Sequence, residues 1–144
     1  HQALKVTSIR NPWDILVSAW QWRRDGRGGR AEPIEAGFRE WASSALSRDP
    51  EWQERCGAYD ARKLMHPFIF IDGVMSVDYL IRQEAIDDGL EWISARTGLP
   101  LGRIEVREKT SRREGGYRTY YDDDLAARVR EYFEDIIEVS GYRF

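Results

Sequence analysis

The feature that most constrains the fold is a strand-like run that ends in an arginine and passes through one turn into a helix-like run. Residues 3–9 (ALKVTSI) alternate loosely and contain β-branched side chains, which predicts a strand. Asn11-Pro12 is a turn signal, and proline is favoured at the first position of a helix. Apolar side chains then recur at helical spacing at Trp13, Leu16, Val17 and Trp20. The chain therefore opens as strand, turn and helix.

The remaining pattern predicts further helices and one more strand. We expect a helix opening at Pro33, a strand over residues 76–83 and a helix that ends at Gly98. A last helix begins at Asp122-Asp123-Asp124 and carries one long apolar stripe, formed by Leu125, Val129, Tyr132, Phe133, Ile136 and Ile137. Residues 48–67 show no clear period. This order of strands and helices indicates an α/β layered fold with a mainly parallel sheet.

Composition limits the classes of function. A chain of 144 residues with 42% hydrophobic residues suits one globular domain, and a net charge of -3 gives no overall attraction to nucleic acid. A single cysteine excludes an internal disulfide and favours a reducing compartment, so we expect a cytoplasmic protein. No apolar run approaches the roughly 20 residues that span a bilayer. Cysteine and histidine are too few for a structural zinc site, so no metal is expected.

Arg10 and Ser18 are the candidate ligand-binding residues near the first turn. Ligands of open α/β sheets bind beyond the carboxyl ends of the strands, where Arg10 is expected to lie. A helix that starts at Pro12 directs its first N–H groups and its positive dipole end the same way. Ser18 faces away from the apolar stripe of this helix. Together these groups can hold a phosphate monoester. The alternative is that Arg10 pairs with a carboxylate and Ser18 has no ligand.

Three segments resemble the sulfotransferase family, whose members transfer a sulfuryl group from 3′-phosphoadenosine 5′-phosphosulfate (PAPS). "IRNPWDILVSAW" is similar to the family's 3′-phosphate-binding segment. "VDYLIRQEAIDDGLEWISARTGL" resembles a strand that ends in Arg-aromatic-Glu before a helix, although Gln83 replaces the aromatic residue. "EKTSRREGGYRTYYDDDLAARVREYFEDIIEVSGYRF" resembles the C-terminal loop and helix. Ile15 also stands where many members have a further arginine.

The resemblance implies a fold, a cofactor and site residues. Arg10 and Ser18 would bind the 3′-phosphate of PAPS, and a loop would close over the cofactor through Lys109, Thr110, Ser111 and Arg112. The implied fold is a three-layer P-loop-like parallel sheet flanked by helices. We expect residues 1–144 to be the C-terminal portion of a single, carbohydrate-type sulfotransferase domain, incomplete at the N-terminus and lacking the 5′-phosphosulfate loop. The acceptor is expected to be a hydroxyl or amine, with a saccharide favoured.

Several alternatives stay open. The catalytic base is unassigned, with His66 and Glu84 as minor candidates. Trp20, Trp22 and the arginines that follow them form either an acceptor wall or, more simply, core packing and a solvated face. The chain could also be a catalytically inactive nucleotide-binding or interaction module of the same fold. A relative of P-loop kinases is a further alternative, but it does not explain the two later segments.

Overall fold

A computed structural model describes residues 3–26, 33–104 and 115–144. Their Cα positions cluster into two compact units. Among the described residues, the first unit comprises residues 3–10 and 65–104. The second comprises residues 11–26, 33–64 and 115–144. The boundary between the units therefore falls directly after Arg10, at the turn that the sequence predicts.

The chain alternates short strands with helices. Its strands are β1 (Val6–Ile9), β2 (Phe70–Ile71), β3 (Val74–Met75) and β4 (Tyr79–Arg82). Its α-helices are α1 (Pro12–Arg24), α2 (Phe38–Ala45), α3 (Pro50–Arg55), α4 (Ile86–Thr97), α5 (Asp123–Tyr132) and α6 (Glu134–Ser140). Short 3₁₀ turns join several of them, at Ala61–Leu64, His66–Phe68, Gln83–Ala85 and Tyr117–Tyr120.

The first unit contains the parallel sheet. β1 pairs with β4 in parallel, and the register places Val6 opposite Tyr79 and Ile9 opposite Arg82. Helix α4 follows β4 and packs on it so closely that Gly89 lies against Ile81, where an added Cβ would meet Ile81 Cγ2 at 2.5 Å. Gly98, with φ of 74°, ends α4 in the left-handed conformation that the sequence predicts.

An antiparallel hairpin, which the sequence pattern did not predict, also belongs to the first unit. β2 and β3 pair with Phe70 opposite Met75 and are joined by Asp72-Gly73. Both loop residues have positive φ, of 50° and 77°, as a two-residue hairpin turn with right-handed strand twist requires. β2 and β3 have two residues each, too short for an alternating pattern to reveal.

The second unit is helical and packs around indole rings. The Trp13, Trp41 and Phe133 side chains are fully buried, and helix α1 packs against α2 and α5. Trp13 Nε1 donates to the carbonyl of Ala126 at 3.0 Å, so the buried ring also has its polar atom satisfied. The predicted apolar stripe of α1 is confirmed, because Trp13, Leu16, Val17 and Trp20 are all buried.

Two helix boundaries differ from the prediction. Residues 33–37 are not helical, and α2 begins only at Phe38 after the extended residue Gly37. The proline-start rule alone therefore placed this helix too early. The predicted last helix is two helices, because Phe133 leaves helical geometry between α5 and α6 while its side chain stays buried. Asp122 caps α5 by accepting from the Leu125 amide at 2.8 Å.

The fold is thus of mixed helix and strand, as the sequence predicts. Its described parallel sheet has two strands, β1 and β4, and the hairpin β2–β3 is separate. The strands are shorter than predicted, since residues 3–5 and 76–78 lie outside β1 and β4. The region 48–67, which had no clear period, contains α3, the 3₁₀ turn Ala61–Leu64 and the start of the next 3₁₀ turn, His66–Phe68.

Candidate functional site

The first part of the candidate site is the carboxyl edge of the β1–β4 pair, in the first unit. Ile9, the last residue of β1, lies opposite Arg82, and Arg10 follows directly after the end of this strand. Parallel strands end at the same edge, which places the backbones of Arg10 and Arg82 next to each other. Arg10 is half-buried, and Arg82 and Glu84 are exposed. Two cationic residues and one carboxylate therefore share this edge.

The start of helix α1, in the second unit, differs from the prediction in one respect. Asn11 Oδ1 accepts from the amides of Trp13 at 3.0 Å and Asp14 at 3.4 Å. The Ile15 amide donates to the Asn11 carbonyl at 2.9 Å, and Pro12 has no N–H. The amides of Trp13, Asp14 and Ile15 are therefore already hydrogen-bonded within the turn, and Asp14 adds negative charge there. The N–H groups that the sequence predicts to be free at this helix start are instead capped by the Asn11 side chain.

Residues near the C-terminus of the sequence hold the capping residue Asn11 in place. Asn11 Nδ2 donates to the Tyr117 hydroxyl at 3.3 Å and to the Arg143 carbonyl at 3.4 Å. The Tyr121 hydroxyl donates to the Trp13 carbonyl at 2.8 Å. Asn11 itself is buried. Within the second unit, the segment that resembles the family's first motif is thus bonded to the segment that resembles its C-terminal motif.

Ser18 lies on α1 and is half-buried. It stands outside the buried stripe, as its position on the helix predicts. Arg10 belongs to the first unit and Ser18 to the second. Their convergence on one dianion therefore stays a prediction. Lys109, Thr110, Ser111 and Arg112, the predicted loop residues, lie outside the described residues.

His66 and Glu84, the minor candidates for a catalytic base, occupy different settings of the first unit. The His66 ring stacks on Phe70 with ring centroids 4.7 Å apart. Glu84 lies exposed in the 3₁₀ turn that follows β4, close in sequence to Arg82. In the described part of the chain, no group of three or more His, Cys, Asp or Glu side chains is arranged to hold a metal ion.

The contacts of Trp20 on α1 favour core packing over a role in an acceptor-binding wall. Trp20 is buried, and its Nε1 donates to the Ala36 carbonyl at 3.0 Å, so this ring packs in the core. Arg24 lies over the Trp20 ring at 4.6 Å, and Arg23 Nε donates to the Gly57 carbonyl at 3.0 Å. Trp22 is the more exposed ring, at 38%. Trp20 therefore has a structural role that needs no ligand.

Sequence reasoning gave no role to a cleft in the second unit that is lined by arginines and carboxylates. It includes Asp60 and Arg62, from the region without a clear pattern, and Arg128 and Tyr132 from α5. No spacing rule connects residues so far apart in the sequence. The one sequence feature that points to this cleft is the spacing of Arg128 and Tyr132. They lie four residues apart on a predicted helix, and so on one face of it.

Comparison with protein-family models, with curated proteins and with solved structures returned no match. Within residues 3–26, 33–104 and 115–144, no helix has the length and apolar character needed to cross a membrane.

Proposed function

We propose that this chain supplies the 3′-phosphate-binding part of a PAPS-dependent sulfotransferase. The enzyme would transfer a sulfuryl group to a hydroxyl or amine of an acceptor, with a carbohydrate favoured. One observation supports this most directly: Ile9 lies opposite Arg82 in a parallel strand pair. The strand ends of the two segments that resemble the family, at Arg10 and at Arg82, thereby meet at one sheet edge. The proposal includes the three-layer P-loop-like sheet as the fold of the complete domain.

The chemistry of Arg10 suits a phosphate dianion. A guanidinium offers a planar fork of N–H donors that matches two phosphate oxygens, and its charge persists at any physiological pH. Because Asn11 caps helix α1, the proposed site depends on side chains and not on backbone donors. Ser18 would add one hydroxyl donor, and Lys109, Thr110, Ser111 and Arg112 would close over the nucleotide.

The proposed reaction is an in-line displacement. The acceptor oxygen forms a bond to sulfur, the bond from sulfur to the bridging oxygen breaks, and 3′-phosphoadenosine 5′-phosphate leaves. The acceptor proton passes to a base to which we assign no residue. Arg10 and Ser18 act by positioning the nucleotide for attack, which lowers the entropic part of the barrier. We assign no residue of this chain to the sulfonate group.

Calorimetry with two nucleotides tests the proposal. We expect 3′-phosphoadenosine 5′-phosphate to bind far more tightly than adenosine 5′-phosphate, because only the former carries the 3′-phosphate. Arg10→Ala should weaken binding of the doubly phosphorylated nucleotide by about 2–4 kcal/mol, the scale for removing one partner of a buried charged pair. It should leave the weak binding of adenosine 5′-phosphate nearly unchanged.

Arg103→Ala is the matched control, since Arg103 is an exposed arginine of the same unit outside the sheet edge. Equal affinity for the two nucleotides, or an Arg10→Ala protein that keeps the preference, would contradict the proposal. Tight nucleotide binding without transfer of label from PAPS to saccharide hydroxyls would favour the inactive module instead.

A further inference from the structure

The second unit contains a polar cleft with a volume of about 700 Å³. This volume lies within the roughly 300–1,000 Å³ that is typical of small-molecule sites. Its walls carry three guanidinium groups, from Arg48, Arg62 and Arg128, and two carboxylates, from Asp60 and Glu131. The lining therefore offers guanidinium donors to an anionic group and carboxylate acceptors to the hydroxyl groups of a ligand.

Two of the three arginines are held in position by neighbours outside the cleft lining. Arg62 Nη2 bonds Asp135 Oδ2 at 2.6 Å, and Arg128 Nη1 donates to Ser43 Oγ at 3.0 Å. A guanidinium has five N–H donors, so one such bond orients the group and leaves donors for a ligand. Arg48 is exposed, and with the described residues it makes no hydrogen bond or ion pair. The cleft therefore combines oriented cations with one that is available.

The carboxylate of Asp60 is fixed by two donors. Its Oδ1 accepts from the Tyr132 hydroxyl at 2.5 Å and from the Arg62 amide at 2.9 Å. Burial, the hydrogen bond to Asp60 and the charge of Asp60 all raise the pKa of Tyr132, so this phenol stays a donor. Asp60 Oδ2 accepts no hydrogen bond from a described residue, and it is left to accept from a hydroxyl group.

We propose that this cleft binds a small sugar acid, whose carboxylate meets the guanidinium groups of Arg48 and Arg128 while its hydroxyls donate to Asp60 and Glu131. A simple inorganic anion would use the arginines but leave both carboxylates without a donor. An uncharged sugar would leave the guanidinium groups without an anionic partner. The proposal rests on residues of the second unit alone, and it does not depend on the sulfotransferase function.

Titration of the ¹⁵N-labelled full chain followed by NMR tests this. The probes are D-glucuronate, D-glucose and inorganic sulfate, at constant pH and ionic strength. We expect D-glucuronate to cause saturable chemical-shift changes in the amides around Arg62 and Arg128. It should also bind more tightly than either of the other two probes. Arg128→Gln should weaken D-glucuronate binding at least about tenfold, the scale for a lost hydrogen bond between charged groups.

Arg130→Gln is the control, because Arg130 is an exposed arginine of the same helix that does not line the cleft. Arg48→Gln, at an exposed position, keeps the test valid if Arg128→Gln fails to fold. The proposal is overturned if D-glucuronate causes no saturable shifts, if D-glucose or sulfate binds as tightly, or if Arg130→Gln weakens binding as much as Arg128→Gln. If the protein does not recognise the 3′-phosphate but still binds D-glucuronate, the proposed sulfotransferase function fails and the proposal for the cleft stands.

Discussion

The two units of the molecule bury their side chains to very different extents. In the second unit the core contains whole indole and phenyl rings, those of Trp13, Trp41 and Phe133. In the first unit the buried apolar side chains of the described residues are Ile9, Met65, Ile69 and Ile81. Phe68, in the 3₁₀ turn before the hairpin, and the hairpin side chains Ile71 and Val74 are each more than 60% exposed.

This difference matters because burial of apolar surface is the main favourable term in folding. A segment with few buried apolar contacts opens at lower free-energy cost than a well-packed helical core. The sheet edge that we propose to bind the 3′-phosphate lies in the first unit, which has fewer buried apolar side chains. The polar cleft lies in the second unit, which has the aromatic core. Three substitutions test this difference between the two units.

The largest effect is expected from Trp13→Ala. This change removes a fully buried indole and its hydrogen bond to the Ala126 carbonyl. The free energy of unfolding should fall by about 3–5 kcal/mol, measured by chemical denaturation. Trp22→Ala is the control on the same helix, and it should cost less than about 1 kcal/mol because that ring is partly exposed. Similar losses for the two tryptophans would show that the core does not depend on the buried ring.

A smaller loss is expected from Gly89→Ala in the first unit. The new Cβ would meet Ile81 Cγ2 at 2.5 Å and Cγ1 at 2.9 Å, so α4 or the Ile81 side chain must move. Ile81 is β-branched and stiff at χ1, and we expect a cost of about 1–3 kcal/mol. Gly102→Ala, with open space around the added methyl, is the control.

Hydrogen exchange of the Gly89→Ala protein should show faster exchange of the amides of β4 and α4. If its unfolding free energy fell by more than that of Trp13→Ala, the ranking of the two units would be reversed. If it did not fall at all, the close approach of α4 to β4 would not contribute to stability.

The smallest effect concerns Tyr132 in the cleft of the second unit. Burial and the Asp60 carboxylate raise the pKa of Tyr132 above its ordinary value of 10.0. Above this pH the unfolded chain loses the phenolic proton while the folded protein keeps it, so the free energy of unfolding falls as pH rises.

Tyr132→Phe removes this titration. The stability difference between the original protein and the variant should be constant below about pH 10 and should shrink above it. Denaturation at about pH 8 and about pH 11 measures the change. A difference that is the same at both values would mean that the phenol is not held protonated in the cleft.

Sequence patterns predicted the local elements of this molecule well. The apolar stripe of α1, the glycine that ends α4 and the acidic start of α5 all depend on neighbours within a few residues. Local spacing also correctly placed Ser18 outside the buried stripe and Arg10 beyond the end of a strand. The break at Phe133 was missed, because its apolar side chain fits both a continuous stripe and two shorter helices.

The alternation of strand and helix and the arginine just beyond β1 could be predicted from the sequence, since both follow from short-range periodicity and turn chemistry. Three contacts emerge only in the folded protein: Ile9 lies opposite Arg82, the Asn11 side chain caps α1, and Asp60 meets Tyr132. The cap is local, but the other two contacts join residues that are distant in the chain. Such pairs form because packing brings their elements together, and no local spacing encodes them.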